Sequence, residues 1–411
     1  MRFYLSISFI ILFFSITYTK TITVSATGTI STIKKAIAIS QAGDVISVKQ
    51  GTYNEYAIVV DKPIKIIGEN FPVINGLNKG EIFTIKSNSV EIQGLQLQNT
   101  GFSYTEDRAG IKIIRSKFCV IKNNKLINLF FGIYLSYSDS CVVANNQIQG
   151  TPKNESNTGN AIHLWNCKSI LIDNNAIQGH RDGIYLEFVQ NSKILHNKSS
   201  YQIRYGLHFM FSNNCEYFKN EFSNNNAGVA VMYSNNIYVH ENIFADNWSV
   251  VSTGILLKDI KDSKIENNLF YQNTTAIYAE GCMRMSVTKN NFKKNGWAIK
   301  ILGSSEDNKF LNNNFISNTF EVVTNTSINR NYFDKNYWSG YSGYDLNKDG
   351  VGDIPYSPVK LFTYIIENTP PAIILLRSLF VDLLDIAERI TPVITPETLK
   401  DEQPIMKEIK W

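Results

Sequence analysis

The stretch NEFSNNNAGVAVMYSNNIYVHENIF, residues 220–244, decides the fold. Asn220-Glu-Phe222 returns 22 residues later as Asn242-Ile-Phe244. Between the two copies lies Gly228-Val-Ala-Val231, with valines at alternate positions and Asn-rich segments on either side. Alternation bounded by turn residues is strand chemistry, not helix chemistry. A unit of about 22 residues cannot bury its own apolar face, whereas stacked copies can.

Working outward, the Asn-x-apolar step opens at Asn124, Asn146, Asn175, Asn197, Asn220, Asn242, Asn268, Asn290, Asn313 and Asn331, with Ser199 once in the apolar place. The intervals are 22, 29, 22, 23, 22, 26, 22, 23 and 18, a period near 22 with insertions. Between the steps runs a second motif, as in Gly132-Ile-Tyr-Leu135, Ala161-Ile-His-Leu164, Gly183-Ile-Tyr-Leu186 and Gly206-Leu-His-Phe209. The pattern predicts an all-β chain, a right-handed parallel β-helix of the pectate-lyase-like type with coils of about 22 residues, from Thr21 to Tyr337. Asn suits its turns because it tolerates left-handed backbone and can pair with its copy one rung away. Residues Ser31 to Gln41 read as a short helix ahead of the first coil, covering the open N-terminal end. The block AISQAGDVISVKQGTY, from Ala38, resembles the N-terminal cap of many pectate-lyase-like β-helices, a likeness of fold alone.

Five segments are expected: an export signal at 1–20, cap and first coils at 21–100, repeats at 101–336, an aromatic and Asp-rich segment at 337–370, and a C-terminal helix and tail at 371–411. Arg2 before the apolar run Leu5–Ile16 gives the signal its charged and hydrophobic regions. The formal charge of +4, with no run of Lys or Arg, argues against a nucleic-acid footprint. The cysteines Cys119, Cys141, Cys167, Cys215 and Cys282 are odd in number and widely spaced, which is not a disulfide framework. Cys119, Cys141 and Cys215 each stand five residues before a ladder Asn and read as stacked core residues.

In a Gly-Ile-x-Leu strand the x residue points outward. The outward positions gather His163, Trp165, Tyr185, Glu187, His208, Met210 and Met232 on neighbouring rungs. Imidazole with thioether suits copper, Met favouring Cu(I). A partner-binding surface and a patch covered by an inserted loop are the competing readings. Asp345, Asn347, Asp349 and Asp353 imitate the first ligands of a calcium loop, but Tyr356 replaces the final Glu, so the choice lies between a calcium-stabilised turn and a self-capping Asx turn. Glycan-cleaving enzymes need paired carboxylates on one face. Here Glu187, Asp259 and Glu280 are scattered over columns and rungs, so no catalytic residue is assigned. From Pro371 to Ile390 the pattern turns helical with a wide apolar surface. Arg377, Asp382, Asp385, Glu388 and Arg389 make it a poor membrane span, so Leu375, Leu376, Leu379, Phe380, Leu383 and Leu384 are expected to dock onto a membrane protein, together with the tail.

The strands RYGLHFMFSNN, from Arg204, and GVAVMYSNN, from Gly228, resemble the central repeats of the NosD family. The segments YWSGYSGYDLNKDGVGDIPYSPVKLF, from Tyr337, and LLRSLFVDLLDIAERITPVITPETLKDEQP, from Leu375, resemble its C-terminal region, and these are the specific part. The resemblance implies a periplasmic protein, held peripherally at the inner membrane through an ABC transporter made of the NosF ATPase and the NosY membrane subunit. It implies a role in assembling the copper sites of nitrous oxide reductase, with the NosL lipoprotein as copper donor, and so an adaptor meeting copper transiently, not an enzyme. The rival reading is a secreted carbohydrate-active or glycan-binding β-helix.

Overall fold

A computed structural model describes residues 19–152, 154–325, 330–376, 378–390 and 399–410. The expected export signal therefore lies, up to residue 18, outside the described residues, as do Arg377 and the tail stretch 391–398.

The chain winds into a parallel β-solenoid of three sheets, with fourteen, thirteen and twelve strands among the described residues. Each coil gives one short strand to each sheet and pairs in register with the coils before and after it, so Ile111, Ile133, Ile162, Ile184 and Leu207 form one inward column. Inward residues are buried throughout, and the interior is one continuous core. Inward aromatics stack from rung to rung: Phe244 on Phe270 at 4.7 Å, Phe270 on Phe292 at 5.0 Å, Phe292 on Phe315 at 4.9 Å and Phe315 on Trp338 at 4.0 Å. These spacings are those of parallel strands themselves, so the rings stack wherever the register holds.

The Asn steps form a buried ladder. Each side-chain amide donates to the carboxamide oxygen one rung on, as from Asn220 to Asn242 at 3.0 Å and from Asn242 to Asn268 at 3.1 Å. The same oxygen also accepts the preceding rung's backbone N–H, so the corner's polar groups are satisfied without water. One rung of the sequence reading is corrected. Asn313 donates to Asn336, not Asn331, at 3.0 Å. Asn331 instead belongs to a separate pairing, accepting from Asn308 at 2.8 Å. The last interval is thus 23, from Asn313 to Asn336, and Trp338 fills the apolar place. A second ladder, Gln202, Asn225, Asn247, Asn273, Asn295 and Asn318, runs along another corner. The five cysteines are free and buried. Cys119 and Cys141 occupy adjacent rungs, and burial pushes the Cys167 and Cys215 thiols up to about 11.

The N-terminal helix α1, Ile33–Ile39, forms as expected, but inside the first coil. The strand Thr21–Val24 precedes it and pairs with Val45–Val48. Thr32 caps the helix by accepting from the Lys35 N–H, and the Glu55 carboxylate accepts from the N–H groups of Ile33 and Lys34. Ile33, Ala36 and Ile37 cover the open end of the core.

The C-terminal end departs further from expectation. In place of one helix over 371–390 there are α2, Leu361–Asn368, a tight turn Pro370–Leu375, and α3, Leu379–Ile390. Pro370 and Pro371 have no N–H to continue α2, so the chain breaks there. Phe362 and Ile366 of α2 and Val381 of α3 pack with Trp297, Phe320 and Val323 of the last coils. Of the residues expected to dock outward, Leu376 and Leu384 instead lean on this cluster, while Leu375, Leu379, Phe380 and Leu383 remain exposed. The tail is also corrected. Its described part, 399–410, returns to the solenoid: Asp401 bridges to Phe333 and Tyr356, and Ile405 to Tyr337 and Val351. Asp401 becomes the final member of the Asn ladder, its Oδ2 accepting from the Asn336 side chain at 3.0 Å, the Asn336 N–H at 3.0 Å and the Trp338 indole at 2.9 Å.

Candidate functional site

The expected surface lies on the outer face of the third sheet, on the strands Ile162–Trp165, Asp182–Glu187, Tyr205–Met210 and Ala227–Met232. Register places the residues as the alternation requires. Tyr134, His163, Tyr185 and His208 form one column, and Trp165, Glu187, Met210 and Met232 the next.

Pointing outward is not the same as reaching solvent. His163 is sandwiched between Tyr134 at 4.5 Å and Tyr185 at 4.7 Å, both rings nearly parallel to it. Tyr185 meets His208 edge-on at 5.0 Å, and His208 is only 5% exposed. Neighbouring long coils explain this. The inserted segment around Phe102 reaches the column through Phe130 and Phe131 of the next coil: Phe102 packs on Phe130, Phe130 on Phe131, and Phe131 on His163. The Glu155 carboxylate holds Arg204 at 3.1 Å, and Tyr104 donates to Asn157 at 3.4 Å. The expectation of an exposed histidine patch is therefore corrected to a roofed one. Burial pushes His163 down to about 3, so its ring stays neutral, and Asn160 donates to Nδ1 at 3.0 Å, fixing its orientation.

Sequence reasoning missed the charge beneath this roof. Asp182 is fully buried, with Arg204 at 3.6 Å, His208 Nδ1 at 3.7 Å and Arg181 at 3.8 Å. The signal available was a lone carboxylate at a strand start where the next coils have Tyr205 and Ala227.

The second column stays open. Met210 and Met232 are half-buried and directly paired across adjacent strands. Beside them runs a third column that the strand pattern does not reveal, because it begins at the turn. Phe188 stacks on Phe211 at 5.2 Å, and Phe211 on Tyr233 at 5.1 Å, all three half-exposed. Each has a positive φ, +54°, +49° and +53°, where bulky side chains are costly by about 1–2 kcal/mol. Arg115, Asn166 and Asp259 share this left-handed conformation at the same corner of other coils, so it belongs to the solenoid; what sets these three apart is large aromatic surface left in solvent. Tyr137 extends the aromatic edge by meeting Trp165 at 4.8 Å.

Among the described residues no group of three or more His, Cys, Asp or Glu side chains is placed to hold a metal. The Asp345 loop spends its oxygens on its own backbone: Asp345 accepts from the N–H groups of Asp349 and Gly350, Asn347 from Asp349, Asp349 from Val351, and Asp353 from Leu346. These are the hydrogen bonds of Asx turns. Glu187 accepts from Tyr185 at 3.2 Å, and Glu280 lies 3.8 Å from Lys258.

A family model described as "Periplasmic copper-binding protein (NosD)" matches residues 145–343, which hold both methionines and the aromatic column. A Pseudomonas aeruginosa protein named "Probable ABC transporter binding protein NosD" is 28% identical over 365 residues, 85% of either chain. In both comparisons this chain is similar to the NosD family. A NosD protein of Stutzerimonas stutzeri bearing the same name is 26% identical over 365 residues, 85% of this chain and 84% of that one. Among solved structures, the A-module of a mannuronan C-5 epimerase from Azotobacter vinelandii superposes with a TM-score of 0.52 at 11% identity, covering 74% of this chain and 86% of that one. That likeness shows the shared solenoid alone. No helix among the described residues is long and apolar enough to cross a membrane.

Proposed function

We propose that this chain is a non-catalytic periplasmic adaptor, bound to an ABC transporter at the inner membrane, that presents Cu(I) during assembly of the copper sites of nitrous oxide reductase. The observation that carries it is the Met210–Met232 pair, two thioether side chains directly opposite each other on adjacent parallel strands, beside the exposed Phe188–Phe211–Tyr233 stack. Thioether sulfur is a soft donor that prefers Cu(I), and two donors without a closed cage suit a cargo that must leave again. The flanking rings supply rigid apolar area for a copper-donor lipoprotein of the NosL type, and for the reductase that receives the metal. His163 and His208 lie under the roof and act as its packed floor. At the far end the exposed apolar residues of α3 fit a groove on a NosY-type membrane subunit driven by a NosF-type ATPase.

The test replaces Met210 and Met232 together by Ala. Both are half-buried on the outer face, so thermal unfolding should be nearly unchanged. Cu(I) held against a competing chelator should weaken about tenfold or more, and the reductase from cells carrying the variant should contain less copper. Wild-type Cu(I) retention together with full copper loading of the reductase would refute the reading.

A further inference from the structure

The coil from Asn242 to Asn268 is 26 residues long, and its extra residues form a projecting turn, Trp248-Ser-Val-Val251. Val250 is 97% exposed, Val251 80% and Trp248 61%. Tight turns ordinarily take Gly, Pro, Asn, Asp or Ser at their centre, each for a backbone reason, and β-branched valines have none of those reasons. The turn is held out by design of its base. Asn247 before it is locked in the second ladder, donating to Asn273 at 2.9 Å. Thr274 takes the Ser249 N–H at 3.2 Å and gives its hydroxyl to the Ser249 carbonyl at 2.7 Å. The Ser252 N–H closes the turn on the Ser249 carbonyl at 3.4 Å. The apolar tip is therefore fixed in water, unable to fold back onto the solenoid.

Its surroundings define what it meets. The stretch 247–257 carries no charged residue, while Lys293 and Lys294 stand two rungs on, just before Gly296. The Trp248 ring lies against Gly296, 3.6 Å from where a Cβ would stand. The next residue, Trp297, belongs to the cluster on which α2 and α3 pack, so the base of the tip adjoins the seat of the C-terminal helices. An aromatic and aliphatic tip whose Trp248 reaches across to the rung of two lysines has the composition of a segment in the bilayer interface. There the indole sits at headgroup level, aliphatic groups enter the acyl region, and ammonium groups meet lipid phosphates.

We propose that the Trp248–Val251 turn dips into the outer leaflet of a phospholipid bilayer and fixes the tilt of the solenoid on the membrane. This rests on the adaptor reading only for which membrane is met; the lipid contact itself needs no transporter. The experiment uses the full mature chain and large unilamellar vesicles of phosphatidylethanolamine and phosphatidylglycerol, without any other protein. The wild type should co-sediment with the vesicles, and vesicles carrying brominated acyl chains should quench Trp248, seen as quenching present in the wild type and reduced in Trp248→Phe. The double variant Val250→Asp, Val251→Asp should lose at least about tenfold in partitioning while unfolding at the wild-type temperature. Absence of wild-type partitioning, or equal partitioning of the double variant, overturns the proposal. If the wild type ignores vesicles but the double variant drops the transporter from detergent extracts, the tip is a protein contact and the lipid proposal is likewise overturned. The adaptor reading fails separately, through the methionine variant.

Discussion

Asp401 offers the most direct test of how the solenoid ends. It sits 65 positions after Asn336, yet completes that residue's ladder. Three buried donors converge on its Oδ2, two from Asn336 and one from Trp338, and its Oδ1 accepts from the Gln403 N–H at 3.2 Å. Replacing Asp401 by Ala strands those donors. An unsatisfied buried donor costs about 1–3 kcal/mol, and neighbours do not add fully, so the expected loss is about 3–5 kcal/mol. Asp401→Asn is the informative partner. Every earlier rung uses an Asn oxygen for the same task, so the carboxamide should replace the carboxylate with little loss. Burial raises the pKa of Asp401, against the hydrogen bonds from Trp338 and Asn336. A carboxyl whose folded pKa lies above its unfolded value stabilises fully below the unfolded pKa and loses that stability as pH rises through the folded one. At neutral pH the wild type therefore bears the full cost of ionisation, and Asp401→Asn should match or exceed it, the gap closing as pH falls toward about 4. The assay is urea unfolding at pH 7 and pH 4, with hydrogen exchange at the Asn336 amide. Because end coils of a stacked array can fray alone, exchange there should respond even where the global midpoint moves little. If Asp401→Ala keeps wild-type stability and wild-type exchange at Asn336, the tail is not the cap.

Two further outcomes are expected. Burial raises Glu321 to about 7, although Tyr356 donates to it at 2.6 Å; its unfolded value is about 4.3, so its stabilisation is complete below that pH and lost through pH 7. The wild-type melting temperature should fall between about pH 5 and pH 8, and Glu321→Gln should flatten that slope; identical profiles would remove Glu321 as the cause. Leu379 and Leu383 are exposed on α3, so changing both to Asp should alter stability by no more than about 0.5 kcal/mol each, yet abolish copurification with the membrane subunit proposed as its partner; retained copurification would count against the α3 face.

Much of the fold was legible because repetition makes it so. Asn220 and Asn242 with their following apolar residues set the period, and Val229 and Val231 set the inward face. The site was legible in direction only. His208 and Met210 point to the same side two residues apart, yet one lies under a roof and the other reaches the surface. Nothing in their own strand distinguishes them. The roof comes from Phe102 and Glu155, residues of longer coils whose insertions follow no period, with Phe130 of the ordinary coil between them. Asn331 misled for a related reason: it has the Asn-x-apolar form, but its place in the coil pairs it with Asn308. The aromatic column of Phe188, Phe211 and Tyr233 escaped because it starts at a left-handed turn residue, where strand alternation no longer applies.

The sequence by itself determined the period and the inward and outward columns, because a strand's alternation and a ladder's spacing are local properties repeated many times. The tertiary structure alone decided which outward residues meet solvent, that Asp182 is buried among Arg204 and His208, and that Asp401 ends the ladder. Those outcomes depend on segments far apart in the chain coming to lie over one another, and a contact made once leaves no periodic mark in the sequence.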